Sequence, residues 1–246
     1  MKKEILMLSF QSGNYKRYQF REQCIKFWSR FDRSIDLKVF NDKQLNLNYD
    51  FETVLRTTKD HVSGYNEIYE YLYSSDLDYA LIIDDDVILH DKTRGDFFKN
   101  FESIFSSCDV LSPMTSEEPY LKNLVDYKIV NKYKFIARIN LVKNFKKHLD
   151  KEILCKSNFL RHSDTEFGIN LMQNGIRHKK DMSVIEKTFC YNLSTIGFKQ
   201  DDKSVYQEEL KQLVKKYSLP IITKKDKIQI NYKRIEKQLK QNKLNL

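Results

Sequence analysis

Up to residue 90 the chain alternates between two hydrophobic rhythms. Glu4–Phe10 (EILMLSF) is a short, largely apolar run, the pattern of a strand covered on both faces, and Asp36–Phe40 and Phe51–Leu55 read as a second and a third strand. Phe20, Cys24, Phe27, Trp28 and Phe31 recur at helical spacing, and Tyr65, Ile68, Tyr69, Leu72 and Tyr73 do so again. The second stripe reads as core, with Ser63 or Gly64 as the helix start. It runs directly into Tyr79–Ile83, a further apolar run. Strand, helix, strand, strand, helix, strand predicts an α/β domain with a mixed, mostly parallel sheet flanked by helices.

Beyond residue 90 the pattern is more broken. Phe97, Phe101, Ile104 and Phe105 mark a short helix, and Asp109–Pro113 a strand and turn. Thr115–Lys122 is polar and suits a loop. Lys134–Leu141 alternates as an antiparallel strand does, and Val142–Leu149 reads as helical. In His162–Gly175, Phe167, Leu171 and Met172 give a helical face, and Gly175 is a natural stop. Tyr206, Leu210, Leu213, Val214 and Tyr217 predict another amphipathic helix closed by Pro220. A last helix is expected around Tyr232, Ile235 and Leu239.

The chemistry of the sequence gathers at YALIIDDDVILHD, residues 79–91. Asp84, Asp85 and Asp86 end a buried strand, and open α/β sheets bind ligands at the C-terminal ends of their strands. Three adjacent carboxylates repel one another unless a cation or a proton neutralises them, so the cluster suits a divalent metal or a metal-bound phosphate. Side chains alternate along an extended segment, which places Asp84 and Asp86 on one side as a D-x-D pair. The plainer reading is a solvated acidic turn, and the strand that delivers the acids argues against it. A second acidic feature, Ser163-Asp164-Thr165-Glu166, opens the helix that ends at Gly175. There Asp164 serves either as a helix cap favoured by the dipole or as a chemical group.

Composition removes several alternatives. With 246 residues, 41% of them hydrophobic, the chain can bury a substantial core. No apolar run approaches a membrane span and the first apolar stretch is too short for a signal peptide, so a cytoplasmic protein is expected. Cys24, Cys108, Cys155 and Cys190 are far apart and expected to be reduced. Neither a G-x-G-x-x-G nor a P-loop follows the first strand, which disfavours dinucleotide enzymes and P-loop NTPases.

Together the two acidic features resemble the GT-A nucleotide-sugar glycosyltransferases, most closely the broad family 2 class. A buried strand ending in D-x-D is matched by Asp84-Asp85-Asp86. The later acidic helix start is matched by Ser163–Phe167, followed by Gln173-Asn174-Gly175. The resemblance covers roughly Glu4–Val184 and implies a Rossmann-like GT-A domain, set at residues 1–200, with a basic helical extension at 201–246. It implies a Mn²⁺ or Mg²⁺ ion held by Asp86 and shared by Asp84. Ser9, Gln11, Asp84 and Asp85 would contact the nucleotide-sugar donor, a UDP-sugar first among the candidates. Asp164 would be the general base that deprotonates the acceptor hydroxyl, with Glu166 as its alternative. Two departures stand out: Ser163 replaces the first acid of the usual E-D pair, and the late metal-binding His has no counterpart in Val184–Leu193. His178 lies earlier and is expected on the surface.

Lys211–Leu246 holds eleven of the 43 Lys and Arg but only two of the 34 Asp and Glu, so the net charge of +9 resides there. Such a segment suits an anionic partner. Two acceptors fit: a cell-surface glycan or glycolipid reached from an anionic membrane surface, or hydroxymethylated DNA of the phage type. Outside that class stand a non-catalytic DNA-binding protein, which leaves the acidic strand end without a purpose, and a sugar-nucleotide nucleotidyltransferase. The latter usually carries a Gly-rich basic loop after the first strand, where this chain has only Gly13 before Lys16 and Arg17.

Overall fold

The computed structural model describes residues 1–9, 15–43, 51–89, 98–99, 102–103, 106–112, 139–159, 162–180, 190–192, 203–224 and 227–230. Its centre is a seven-stranded sheet in the order β3-β2-β1-β4-β7-β6-β8. The strands are β1 (Lys3–Ser9), β2 (Leu37–Asn41), β3 (Glu52–Leu55), β4 (Tyr79–Asp84), β6 (Val110–Ser112), β7 (Ile139–Lys143) and β8 (His178–Lys180). All run parallel except β7, which is antiparallel to both neighbours. The chain runs outward from β1 through β2 to β3, then returns to lay β4 on the other side of β1. This is the topological switch point at which such sheets form a crevice.

Alternation along the strands builds a separate core on each face. Ile5 and Met7 of β1 and Leu81 and Ile83 of β4 join Cys24, Ile25 and Trp28 of α1 (Tyr15–Ser29). Leu6, Leu8, Ala80 and Ile82 face the other way, against α2 (His61–Ser74), α3 (Phe145–Leu149) and α4 (Ser163–Gln173). The three layers explain why the central strands read as continuous apolar runs.

Several boundaries differ from expectation. Helix α2 begins at His61 because Asp60 caps it, its side chain accepting from the Ser63 N–H at 2.8 Å. Val142 and Lys143 belong to β7, and only Phe145–Leu149 is helical, capped by Asn144. His178 is 7% exposed, not a surface residue: its Nε2 lies 2.8 Å from Ser112 Oγ across the β6–β8 pair. After α5 (Lys203–Lys216) the chain forms an antiparallel hairpin of β10 (Ile221–Lys224) and β11 (Lys227–Ile230) that no pattern in the sequence marks. Gly175 ends α4 with φ 72, as its position suggested. Cys24, Cys108 and Cys155 are buried free thiols. The Thr115–Lys122 loop, most of the Phe97–Phe105 helix and the helix around Tyr232 fall outside the described residues.

Candidate active site

The three carboxylates occupy the C-terminal end of β4 and the turn after it. Asp84, Asp85 and Asp86 are 3%, 0% and 0% exposed. The turn leads into β5 (Val87–Leu89), which pairs with β9 (Cys190–Asn192) as a small second sheet. Neighbours from three elements fix this turn. Tyr65 of α2 donates its hydroxyl to Asp84 Oδ1 at 2.5 Å. Ser9, the last residue of β1, donates to Asp85 Oδ2 at 2.9 Å. The Trp28 indole of α1 donates to the Val87 carbonyl at 2.7 Å. His61 Nε2 lies 3.7 Å from Asp84 Oδ1. Asp84 and Asp85 are thus drawn to different neighbours.

Tyr65 and Ser9 orient Asp84 and Asp85 through hydroxyls, which themselves bring no positive charge, while the His61 imidazole stands beside Asp84. Among the described residues no three His, Cys, Asp or Glu side chains converge as a complete metal cage. The strand end offers one or two hard oxygen ligands instead. That set fits Mg²⁺ or Mn²⁺ where substrate phosphates complete the shell.

Two residues that the sequence reading passed over adjoin the switch point. Arg56 follows the end of β3 and is 5% exposed; its Nη1 donates to the Asp60 carbonyl at 3.3 Å. Burial pulls its pKa down, while the charges of Asp42, Glu67, Asp60 and Asp85 act against that shift. Gly64 makes room for it: a Cβ there would stand 2.2 Å from Arg56 Nη1 and 2.7 Å from Leu8 Cδ1. Asn41 ends β2 beside Ser9, is fully buried, and its Oδ1 accepts no hydrogen bond among the described residues. The visible signals were an arginine just past a strand and a glycine in the first turn of the next helix. Tyr65, read as core, also carries a polar role through its hydroxyl.

Helix α4 approaches the same face of the sheet. Burial pushes the Tyr65 phenol well up, with Asp84 and then Cys155 adding to the effect. Burial likewise pushes the Cys155 thiol up, reinforced by the charges of Asp164 and Glu166. Tyr69 of α2 packs edge-on against Phe167 of α4 at 5.2 Å between ring centres, so the helix that carries Tyr65 abuts the one that carries Asp164 and Glu166 in its first turn. The two carboxylates of that turn differ. Asp164 is exposed, and its Oδ1 accepts from the Thr165 N–H at 2.6 Å. Glu166 is 0% exposed and accepts from Lys216 Nζ at 2.6 Å and Tyr217 Oη at 2.7 Å. Gln11 lies outside the described residues.

The overall fold is similar to that of several solved structures. TarS residues 1–349 of S. aureus superpose with a TM-score of 0.55 at 11% identity, over 87% of this chain and 64% of that one. The same protein has been solved with UDP-GlcNAc. Mannosyltransferase PcManGT of Pyrobaculum calidifontis, solved with GDP-Man and Mn²⁺, superposes at 0.58 and 10% identity, over 88% and 64%. The chain has the GT-A fold. It spans about 64% of the length of these GT-A structures. No family model and no curated protein sequence matches it.

Proposed function

We propose that the chain is a metal-dependent glycosyltransferase that moves a sugar from a nucleoside-diphosphate donor to an acceptor hydroxyl. The observation that carries this reading is the trio of buried carboxylates at the switch point, two of them oriented by hydroxyls. The GT-A fold supports it, as do the nucleotide-sugar complexes of TarS and PcManGT. Asp86 and Asp84 would hold Mn²⁺ or Mg²⁺. The ion, when bound, would offset negative charge on the leaving nucleoside diphosphate. Ser9, Asp85 and Asn41 line the donor side at the ends of β1, β4 and β2, and Arg56 adds positive charge nearby.

Asp164 is the proposed general base. It is exposed at the first turn of α4, while Glu166, its alternative, is buried and already engaged by Lys216 and Tyr217. A carboxylate in that position would take the acceptor proton as the hydroxyl attacks the sugar, in a displacement with inversion. The acceptor would be anionic or lie at an anionic surface, either a glycan or glycolipid at the inner membrane face or modified DNA, because the +9 charge lies in Lys211–Leu246. No helix among the described residues is long and apolar enough to cross a membrane.

The test is a thermal-shift panel of UDP-, GDP-, CMP- and dTDP-sugars, each with and without Mn²⁺. One nucleotide is expected to stabilise the protein in a metal-dependent way, and Asp164→Asn to keep that shift while losing transfer. No shift from any donor in a folded protein overturns the reading.

A further inference from the structure

Glu166 is completely hidden, yet it sits in the first turn of a helix that faces the proposed acceptor side. A carboxylate buried alone is strongly unfavourable, so its partners define its role. Two donors to Oε1 come from the end of α5: Lys216 is its last helical residue and Tyr217 follows it. Burial alone pushes the Glu166 carboxyl up, but hydrogen bonds from Lys216, Ser157 and Tyr217 outweigh this and hold it below the ordinary range. The Tyr217 hydroxyl also lies 3.3 Å from Asn170 Oδ1, one turn further along α4. One phenol thus spans two successive turns of the same helix face.

The grip is itself anchored. The Lys216 ammonium lies 5.1 Å from the Tyr217 ring centre and 5.8 Å from that of Phe159, which restrains an otherwise flexible side chain. Directly after Tyr217 the chain reverses through Ser218, at φ 49. The Leu219 N–H returns to the Val214 carbonyl at 3.0 Å, and that of Ser218 to Lys215 at 3.4 Å, closing a Schellman turn. Leu219 then enters the cluster of Phe159, Ile169, Leu210 and Leu213, where α4 and α5 meet.

We propose that Lys216 and Tyr217 form a clamp on Glu166 that positions the first turn of α4, and with it Asp164, for the acceptor. This rests on the glycosyltransferase reading above. Lys216 and Tyr217 act as positioning residues: they do not reach the reacting atoms, but they fix the turn that carries the base. The basic C-terminal helix then contributes directly to the acceptor side through its last turn, beyond any general attraction its charge provides.

The test compares wild type with Tyr217→Phe and with Lys216→Met/Tyr217→Phe in the full chain. Amide exchange across residues 163–168 is expected to rise about tenfold in the double variant. With the donor found in the panel, kcat for transfer is expected to fall roughly tenfold to a hundredfold, donor KM and nucleotide–Mn²⁺ affinity staying within about twofold. Lys216→Arg, which keeps the charge, is expected to recover most of the rate. Unchanged kcat in a folded double variant overturns the proposal, as does a parallel loss of donor affinity. The single Tyr217→Phe variant removes one oxygen atom and keeps the test open if the double variant does not fold. If wild type turns over no donor, the glycosyltransferase reading fails by itself, and exchange at 163–168 still decides the clamp: faster supports it, unchanged overturns it.

Discussion

Asp109 and Asp85 are both hidden from water at opposite edges of one sheet, and they are held by opposite kinds of donor. Asp109 precedes β6 at the N-terminal edge. It receives Arg177 through Nε at 2.9 Å and Nη2 at 2.7 Å, the Arg177 N–H at 3.0 Å, and Lys143 Nζ at 3.4 Å. Asp84 and Asp85, at the C-terminal edge, receive the hydroxyls of Tyr65 and Ser9. A guanidinium discharges a carboxylate and ties two strands together, here β6 and β8. A hydroxyl aims a carboxylate without itself supplying positive charge, and at this edge the nearby cations, His61 beside Asp84 and the Arg56 charge felt by Asp85, stand further off.

The largest effect expected from this contrast follows Asp86→Ala or Asp84→Ala. Each should cost more than about a hundredfold in Mn²⁺-dependent nucleotide affinity by calorimetry and leave Tm nearly unchanged. A large fall in Tm with intact binding would make the two edges alike. Next comes Arg177→Ala, expected to destabilise by about 1.5 kcal/mol in urea denaturation without altering nucleotide affinity, because the half-exposed guanidinium is screened by water and Lys143 still faces Asp109. Its pH signature is specific. Burial pushes the Asp109 carboxyl up, but Arg177 more than compensates and holds it below the ordinary carboxylate range. A lowered folded-state pKa gives stability that is present above the unfolded value and lost as pH falls through the folded one. Asp109→Asn should therefore flatten that part of the acid limb. The smallest effect is that of Tyr65→Phe, which leaves Asp84 charged but less firmly aimed. About 1 kcal/mol, near fivefold in metal-dependent affinity, is expected in the same calorimetric titration.

Much of this was legible in the chain. Continuous apolar runs such as Leu81–Ile83 announced a sheet covered on both faces, and the acids that follow stand, as expected, at its C-terminal edge. What escaped was set by distant partners. Strands β5 and β9 have three residues each and are fixed by pairing with one another. His178 looked like surface because histidine is polar, yet the β6–β8 register buries it beside Ser112. Asp164 and Glu166 could not be ranked from residues 163–167, because what distinguishes them is Lys216 and Tyr217, fifty residues away. Arg56 carried no periodic signal, since its burial depends on the space left by Gly64.

The reversal of β7 sets where the chain leaves and rejoins the sheet. Since β6 ends at Ser112 and antiparallel β7 begins at Ile139, beside Ile83 of β4, the intervening stretch leaves and rejoins the sheet at its ligand edge. Both anchor points lie on the working rim, and the strands that carry them pair through β7 whatever joins them. Lengthening a connection adds only a slowly growing closure penalty. A change in the length of that connection would therefore leave the β6–β7 pair and the three acids in place.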